Sequence, residues 1–169
     1  MDVSFIAVHD HESGIQRVVK KVVHHFYTMD AAGFEPVAVH LVNAELRVAS
    51  EWLTAKGLLH PSEADRVEPG RIVTFGPGDI LFMLDSSWAR YREFLHLHDQ
   101  VRSAGGIVIT AIYDLLPMQL PPHYIVDGGP AWFKDWVING ALNNSDAIVT
   151  ISAAVAVEVR DFIQSEPEL

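Results

Sequence analysis

Apolar residues along the chain fall into short runs, separated by segments in which they recur at helical spacing. Four runs, Val37 to Val42, Ile80 to Leu84, Ile107 to Ile112 and Ala147 to Ile151, read as strands, with a weaker first strand at Val3 to Val8. Their near-continuous apolarity, in place of alternation, suits strands covered on both faces, the habit of parallel sheets in α/β domains. Ahead of Val37, the residues Ile15, Val18, Val19, Val22, Val23 and Phe26 share one helical face, while Gln16, Arg17, Lys20, Lys21, His24 and His25 fall elsewhere. Ser13 is placed to cap this helix. A second helix is expected from about Trp88 to Ser103, ended by Gly105-Gly106. A third follows Pro130 and carries Trp132, Phe133, Trp136 and Val137, and a last one runs from Ser152 to Glu166-Pro167.

This alternation predicts an α/β fold, a Rossmann-like, doubly wound and mainly parallel sheet with helices on both faces. At 169 residues the chain suits a single domain spanning residues 1–169. Two segments fit the alternation poorly: Glu45 to Gly78, with a further possible strand at Arg71 to Phe75, and the Pro- and Gly-rich stretch from Tyr113 to Gly129. Loops of that length in a compact domain usually carry function.

No apolar run approaches the roughly 20 residues of a membrane-spanning helix, and the chain opens Met1-Asp2 without the basic and apolar segments of a signal peptide. A soluble, unexported domain is the expectation. The absence of cysteine removes disulfides, thiolate metal sites and cysteine nucleophiles. With 22 acidic against 12 basic side chains, the surface disfavours nucleic acid and, more mildly, anionic lipid.

In open parallel sheets ligands bind beyond the carboxyl ends of the strands. Those ends carry His9 to Gly14, then Asp85, Ser86, Ser87 and Trp88, then Tyr113 and Asp114, then Ser152. Helix capping accounts for Ser87 and Ser152 as well as ligand binding does. Asp114, beside the proline-rich loop, is the stronger functional candidate. Ser13-Gly14 at a helix entrance offers backbone N–H groups to a phosphate, although it is neither GxGxxG nor a P-loop. The nine histidines lack the spacing of a metal site: His24 with His25 and His96 with His98 diverge on a helix, and His9 with His11 has no third ligand fixed by sequence. No GxSxG elbow supports a serine hydrolase. Trp132, Phe133 and Trp136 have the spacing of a packed helical face, while Trp88 suits either packing or stacking on a ligand.

Four blocks then acquire a common meaning. They are Asp2-Val3-Ser4 with Ser13-Gly14-Ile15-Gln16-Arg17-Val18-Val19; Gly78-Asp79-Ile80-Leu81 through Leu84-Asp85-Ser86-Ser87-Trp88; Tyr113-Asp114-Leu115-Leu116-Pro117; and Asp146 through Ser152. In this order the chain resembles the N-terminal domain of bacterial family 4 glycosyltransferases of the GT-B fold, in the subgroup with a Ser/Thr-Gly-Ile-Gln-Arg-Val motif. The Gly-Ile-Gln-Arg-Val and Tyr-Asp-Leu-Leu-Pro strings are the specific ones.

The resemblance implies an enzyme that moves a sugar, hexosyl or mannosyl, from a nucleotide-sugar donor to a growing surface polysaccharide such as capsule or O-antigen, or to a lipid-linked glycan. It implies no cofactor and no catalytic metal. Ser13, Gly14, Ile15, Gln16 and Arg17 become the donor-phosphate loop, Asp85, Ser87, Trp88 and Tyr113 acceptor contacts, and Asp114 the catalytic residue. Family members often carry His-Asp where this chain has Tyr113-Asp114. The family's donor-binding C-terminal domain lies outside this chain, which implies a fragment with little or no transfer activity of its own. A cytoplasmic setting with peripheral contact to the inner membrane fits such an enzyme. The competing reading is a stand-alone α/β binding or regulatory module without catalysis, which leaves the two specific strings unexplained.

Overall fold

The computed structural model describes residues 1–29, 33–58, 70–124 and 129–166. They gather into two compact units, Met1–Phe75 with Met83–Ser87, and Gly76–Phe82 with Trp88–Leu169.

The first unit contains α1 (Gly14–Thr28), an antiparallel hairpin of β1 (Val39–Val42) and β2 (Glu45–Val48), and α2 (Ser50–Ala55). Helix α1 buries Val19 and Val23, two of the residues its periodicity marks as the inner face. Strand β1 falls within the run Val37 to Val42 but pairs antiparallel with β2 and not in a parallel sheet, while β2 and α2 lie in the stretch from Glu45 that the sequence shows only as mixed. The hairpin's turn, Asn43-Ala44, has φ of 51° and 63° at its two residues, the positive pair that a two-residue type I′ turn requires. Alanine in place of the usual glycine hides that turn from a sequence reading.

Val3 to Val8 is not a strand. Only Asp2 bridges Val39, in parallel, and the chain then turns, with Ala7 N–H donating to Val3 O at 2.9 Å and His9 N–H to Phe5 O at 2.8 Å. The cause is competition for amides: side-chain carboxylates accept from the N–H groups of Ser4, Phe5 and Ile6, which a ladder would need. Arg71 to Phe75 is likewise reduced to one bridge, Arg47 with Ile72.

The second unit is built on a parallel sheet of three strands in the order β3-β4-β5, from β3 (Ile80–Met83), β4 (Ile107–Ile112) and β5 (Ala147–Thr150). Ile109 pairs with Ala147 and Ile112 with Thr150. Helix α3 (Tyr91–Ser103) packs on β4 and α6 (Ala153–Ser165) on β5, an α/β, Rossmann-like arrangement. The expected helix from Trp88 begins instead as a 3-10 turn, Ser87–Arg90, and becomes α-helical at Tyr91. Gly106 permits the tight entry into β4, since a Cβ there would stand 2.6 Å from Asp79 O and 2.9 Å from Val101 Cγ1. The Tyr113 to Gly129 stretch holds α4 (Leu116–Gln119) and a 3-10 turn, Pro121–His123; its residues 125–128, like Pro167, lie outside the described ones. Helix α5 (Gly129–Asp135) continues as a π-helix, Trp136–Leu142.

Tyr91, Ile112, Phe133, Trp136, Val137 and Val159 form the core of this unit. Gly140 lets Trp136 and Tyr91 close in, at 2.6 and 2.9 Å from where its Cβ would be. Among the described residues no helix is long and apolar enough to cross a membrane.

Candidate functional site

In the first unit two buried carboxylates hold the chain from Ser4 to Ile6, where the loop that runs on to Ser13 begins. Asp85 Oδ2 accepts from the N–H of Phe5 at 2.8 Å and of Ile6 at 2.7 Å, and its Oδ1 accepts from Ser86 N–H at 2.7 Å. Burial pushes its carboxyl above the usual range, opposed by those amide hydrogen bonds. Asp2 Oδ1 accepts from Ser4 N–H at 3.0 Å and from Ser4 Oγ–H at 2.5 Å. Ser4 Oγ in turn accepts from Leu41 N–H at 2.8 Å, which ties the start of the chain to the hairpin. Burial first, and the charge of Asp85 second, push Asp2 up to about 7. The Asp-Val-Ser string is thus a structural clasp, a role its residue types alone do not reveal.

The same loop is pinned from above by Gln16, whose side chain is buried. Its Oε1 accepts from His11 N–H at 2.8 Å and Ser13 N–H at 3.1 Å, and its Nε2 donates to His9 O. Ser13 Oγ accepts from Gln16 N–H at 3.3 Å. Ser13 and Gln16 therefore form a capping box, with the Gln doubling as the loop's anchor. Asp10 is gripped by Lys56 Nζ at 2.6 Å and Lys20 Nζ at 3.2 Å, and the bond from Lys56 holds its carboxyl down at about 2.

What this bracing presents is the first turn of α1. Gly14 and Ile15, as the first two helical residues, have no intrahelical acceptor for their N–H groups, and none is supplied by another described residue. No acidic residue stands in that turn. A Cβ added at Gly14 would meet nothing within 4 Å, so the fold itself does not demand glycine there. Arg17 is exposed on the next turn. An outward-facing pair of N–H groups at a helix start, next to a cation and open space, is suited to an anion.

The remaining predicted residues divide between the units. Ser87, in the first, is buried, and its N–H donates to Asp85 O at 2.7 Å. Trp88, in the second, stands edge-on to Phe133 and Trp136 at ring separations of 6.1 and 5.7 Å and is half-buried, which is a packing position. Tyr113 is buried at the end of β4. Asp114 is half-buried, and its Oδ1 accepts from Leu116 N–H at 3.0 Å, a local turn that fixes the carboxylate where α4 begins. Ser152 caps α6, its Oγ accepting from Val155 N–H at 3.2 Å. Asp146, in the fourth block, accepts from Val108 N–H at 2.7 Å and so ties β5 to β4. Among the described residues no three His, Asp or Glu side chains are grouped as metal ligands.

No family model matches the chain, and no solved structure does. Three relatives from Escherichia coli, each named serotype-specific mannosyltransferase WbdA, are 28%, 29% and 27% identical to it over 164 residues. The similar stretch takes in 96% of this chain and 19% of each relative. The chain is thus similar, over almost its whole extent, to about a fifth of a longer protein named for sugar transfer.

Proposed function

We propose that this chain is the acceptor-side, N-terminal half of a family 4, GT-B glycosyltransferase. In this reading the whole protein transfers a hexosyl group, mannosyl by analogy with the relatives' name, from a nucleotide sugar to a surface polysaccharide or lipid-linked acceptor. The observation that carries it is the similarity to those mannosyltransferases over 96% of the chain. The open helix start at Gly14 is in keeping with it.

In this reading the residues divide the work as follows. The N–H groups of Gly14 and Ile15 meet the donor's diphosphate, with Arg17 adding charge. Gln16 and Ser13 hold that loop, and Asp85 supports its start; all three are positioning residues. Asp114, fixed by its turn, either takes the proton of an acceptor hydroxyl or stabilises positive charge developing on the sugar. Tyr113 and Ser87 shape the strand ends, and Trp88 borders the acceptor. The chemistry needs no metal. A donor-binding domain elsewhere in the longer polypeptide supplies the rest of the donor contacts, so the 169-residue chain transfers little or no sugar alone. The enzyme works at the cytoplasmic face of the inner membrane, in peripheral contact with it.

The test is sugar transfer by the full-length gene product, wild type against Asp114→Ala and Gly14→Trp, with a panel of nucleotide sugars and lipid-linked acceptors. Loss of transfer in both variants, with folding intact by circular dichroism, is the expected result. Unchanged transfer in both sinks the site assignment.

A further inference from the structure

Asp10 has no role in the reading above, although three separate segments converge on its carboxylate. Lys20 reaches it from α1, its Nζ 3.2 Å from each oxygen, and Lys56 from the end of α2, at 2.6 Å from Oδ2. Its Oδ1 also accepts from Glu12 N–H at 3.2 Å. The aspartate therefore joins the middle of the loop to α1 and to the end of α2. These ion pairs are partly exposed, with 18% of the Asp10 side chain and 33% of that of Lys56 open to solvent. Such pairs add little to overall stability, so their effect is local, on the course of the loop.

That course matters because of Glu12. It is a non-glycine residue at φ 54°, a left-handed conformation that residues with a side chain rarely adopt. It stands between two fixed points: its own N–H is on Asp10, and that of Ser13 is on Gln16 Oε1 at 3.1 Å. Glu12 is exposed, two positions before Gly14, and its carboxylate accepts neither the Gly14 nor the Ile15 N–H. A carboxylate at a helix start is stabilised by just those unpaired amides and by the helix dipole. The chain thus carries its own competitor for an anion at α1, and the turn anchored on Asp10 holds it aside.

We infer that Asp10, gripped by Lys20 and Lys56, is a positioning residue that keeps Glu12 off the start of α1 and leaves those amides open to a donor phosphate. The inference rests on the phosphate role in the transferase reading and adds the device that keeps that place open.

The test compares the full-length gene product with its Asp10→Asn, Glu12→Gln and double variants, by calorimetric titration of inorganic pyrophosphate and by donor and acceptor KM. Asp10→Asn retains an oxygen for the Glu12 N–H and removes the charge that the lysines hold. Pyrophosphate binding is expected to weaken about ten-fold in Asp10→Asn, with the donor KM raised by a similar factor and the acceptor KM unchanged. Adding Glu12→Gln is expected to restore both to within about three-fold of wild type, because the competitor is then uncharged. A loop that merely unravels gains nothing from that second change. No pyrophosphate binding by the wild type, equal binding by Asp10→Asn, or a double variant as weak as Asp10→Asn overturns the inference. If Asp10→Asn does not fold, Lys56→Met, alone and with Glu12→Gln, makes the same comparison from the α2 side and is judged by the same outcomes. Sugar transfer with a donor KM that Asp10→Asn leaves unchanged overturns the inference and leaves the transferase reading standing. The expected binding pattern, in a gene product that transfers nothing, supports the role of Asp10 at an anion site while the transferase reading falls.

Discussion

Replacing Gly14 with alanine separates what the fold needs from what the ligand needs. The glycine is not held in the left-handed region, and the added methyl would meet no atom within 4 Å. Glycine costs roughly 1 kcal/mol relative to alanine in a helix interior, and less at the first helical position. Gly14→Ala should therefore leave the chain between equally stable and about 1 kcal/mol more stable. The methyl would, however, stand beside the Gly14 and Ile15 amides, where a phosphate oxygen approaches to about 2.9 Å. Losing one hydrogen bond to a charged group costs about 1.5–3 kcal/mol, which converts to a donor KM raised roughly ten- to hundred-fold. Urea unfolding of the chain and donor KM in the full-length gene product measure the two effects. Destabilisation beyond about 1 kcal/mol would mean that the fold requires the glycine, and an unchanged donor KM would refute the phosphate role.

Asp85→Asn replaces an oxygen with an N–H donor facing the Phe5 and Ile6 amides or that of Ser86; a buried donor left unpaired costs about 1–3 kcal/mol, read as a lower urea midpoint with faster exchange at those amides. Gln16→Leu keeps the bulk and deletes the bonds to His9, His11 and Ser13, with an expected loss of about 2–4 kcal/mol; a change under about 0.5 kcal/mol would show that the loop holds without it. Stability should bend with pH in opposite senses in the two units. His98 is lowered to about 4 by burial first and by Arg102 second, so the unfolded chain binds more protons between about 4 and 6.5 and stability falls as pH drops through that window, by up to roughly 3 kcal/mol. Asp2 is raised to about 7, so its contribution is complete below about 3.8 and is lost as pH rises to about 7. His98→Leu and Asp2→Asn should each flatten one limb of the urea midpoint against pH, and a limb that persists in its variant counts against that assignment.

The helix at Gly14 is legible because its apolar residues repeat at the helical period, and the strands at Ile80, Ile107 and Ala147 because each is a short, near-continuous apolar run; the strand at Ala147 nevertheless has no fully buried residue and leaves Val149 exposed. Ser13 and Ser152 were legible as caps because an N-cap is a local event, complete within four residues. The first segment misled for the opposite reason. Val3 to Val8 has a strand's composition, but its amides are taken by Asp2 and by Asp85, the latter some 80 positions away, and no window of sequence contains that competition. Gln16 was picked out for a motif and proves to be the loop's anchor, which a capping-box reading of Ser13-x-x-Gln16 would have indicated. Asp10 carried no signal, since its partners Lys20 and Lys56 lie 10 and 46 positions on.

Two buried acids bonded to the start of a loop proposed to meet phosphate pose an electrostatic difficulty. Their disposition answers it. With Asp2 at about 7, the pair does not carry two full charges at neutral pH, and what negative charge it has is directed at four backbone N–H groups and the Ser4 hydroxyl. Asp10, the loop's remaining aspartate, is matched by two lysines. Helix α1 contains no acidic residue from Gly14 to Thr28 and carries Arg17, Lys20 and Lys21 along its length, within a chain whose formal charge is −10. Lys20 is paired with Asp10, so at the helix start the helix dipole with Arg17 and Lys21 stands against Glu12, the exposed carboxylate two positions before Gly14, and the buried carboxylates act as supports for the loop. An anion approaching Gly14 meets partial positive charge that is already fixed in place, and little further ordering of the loop is required when it binds.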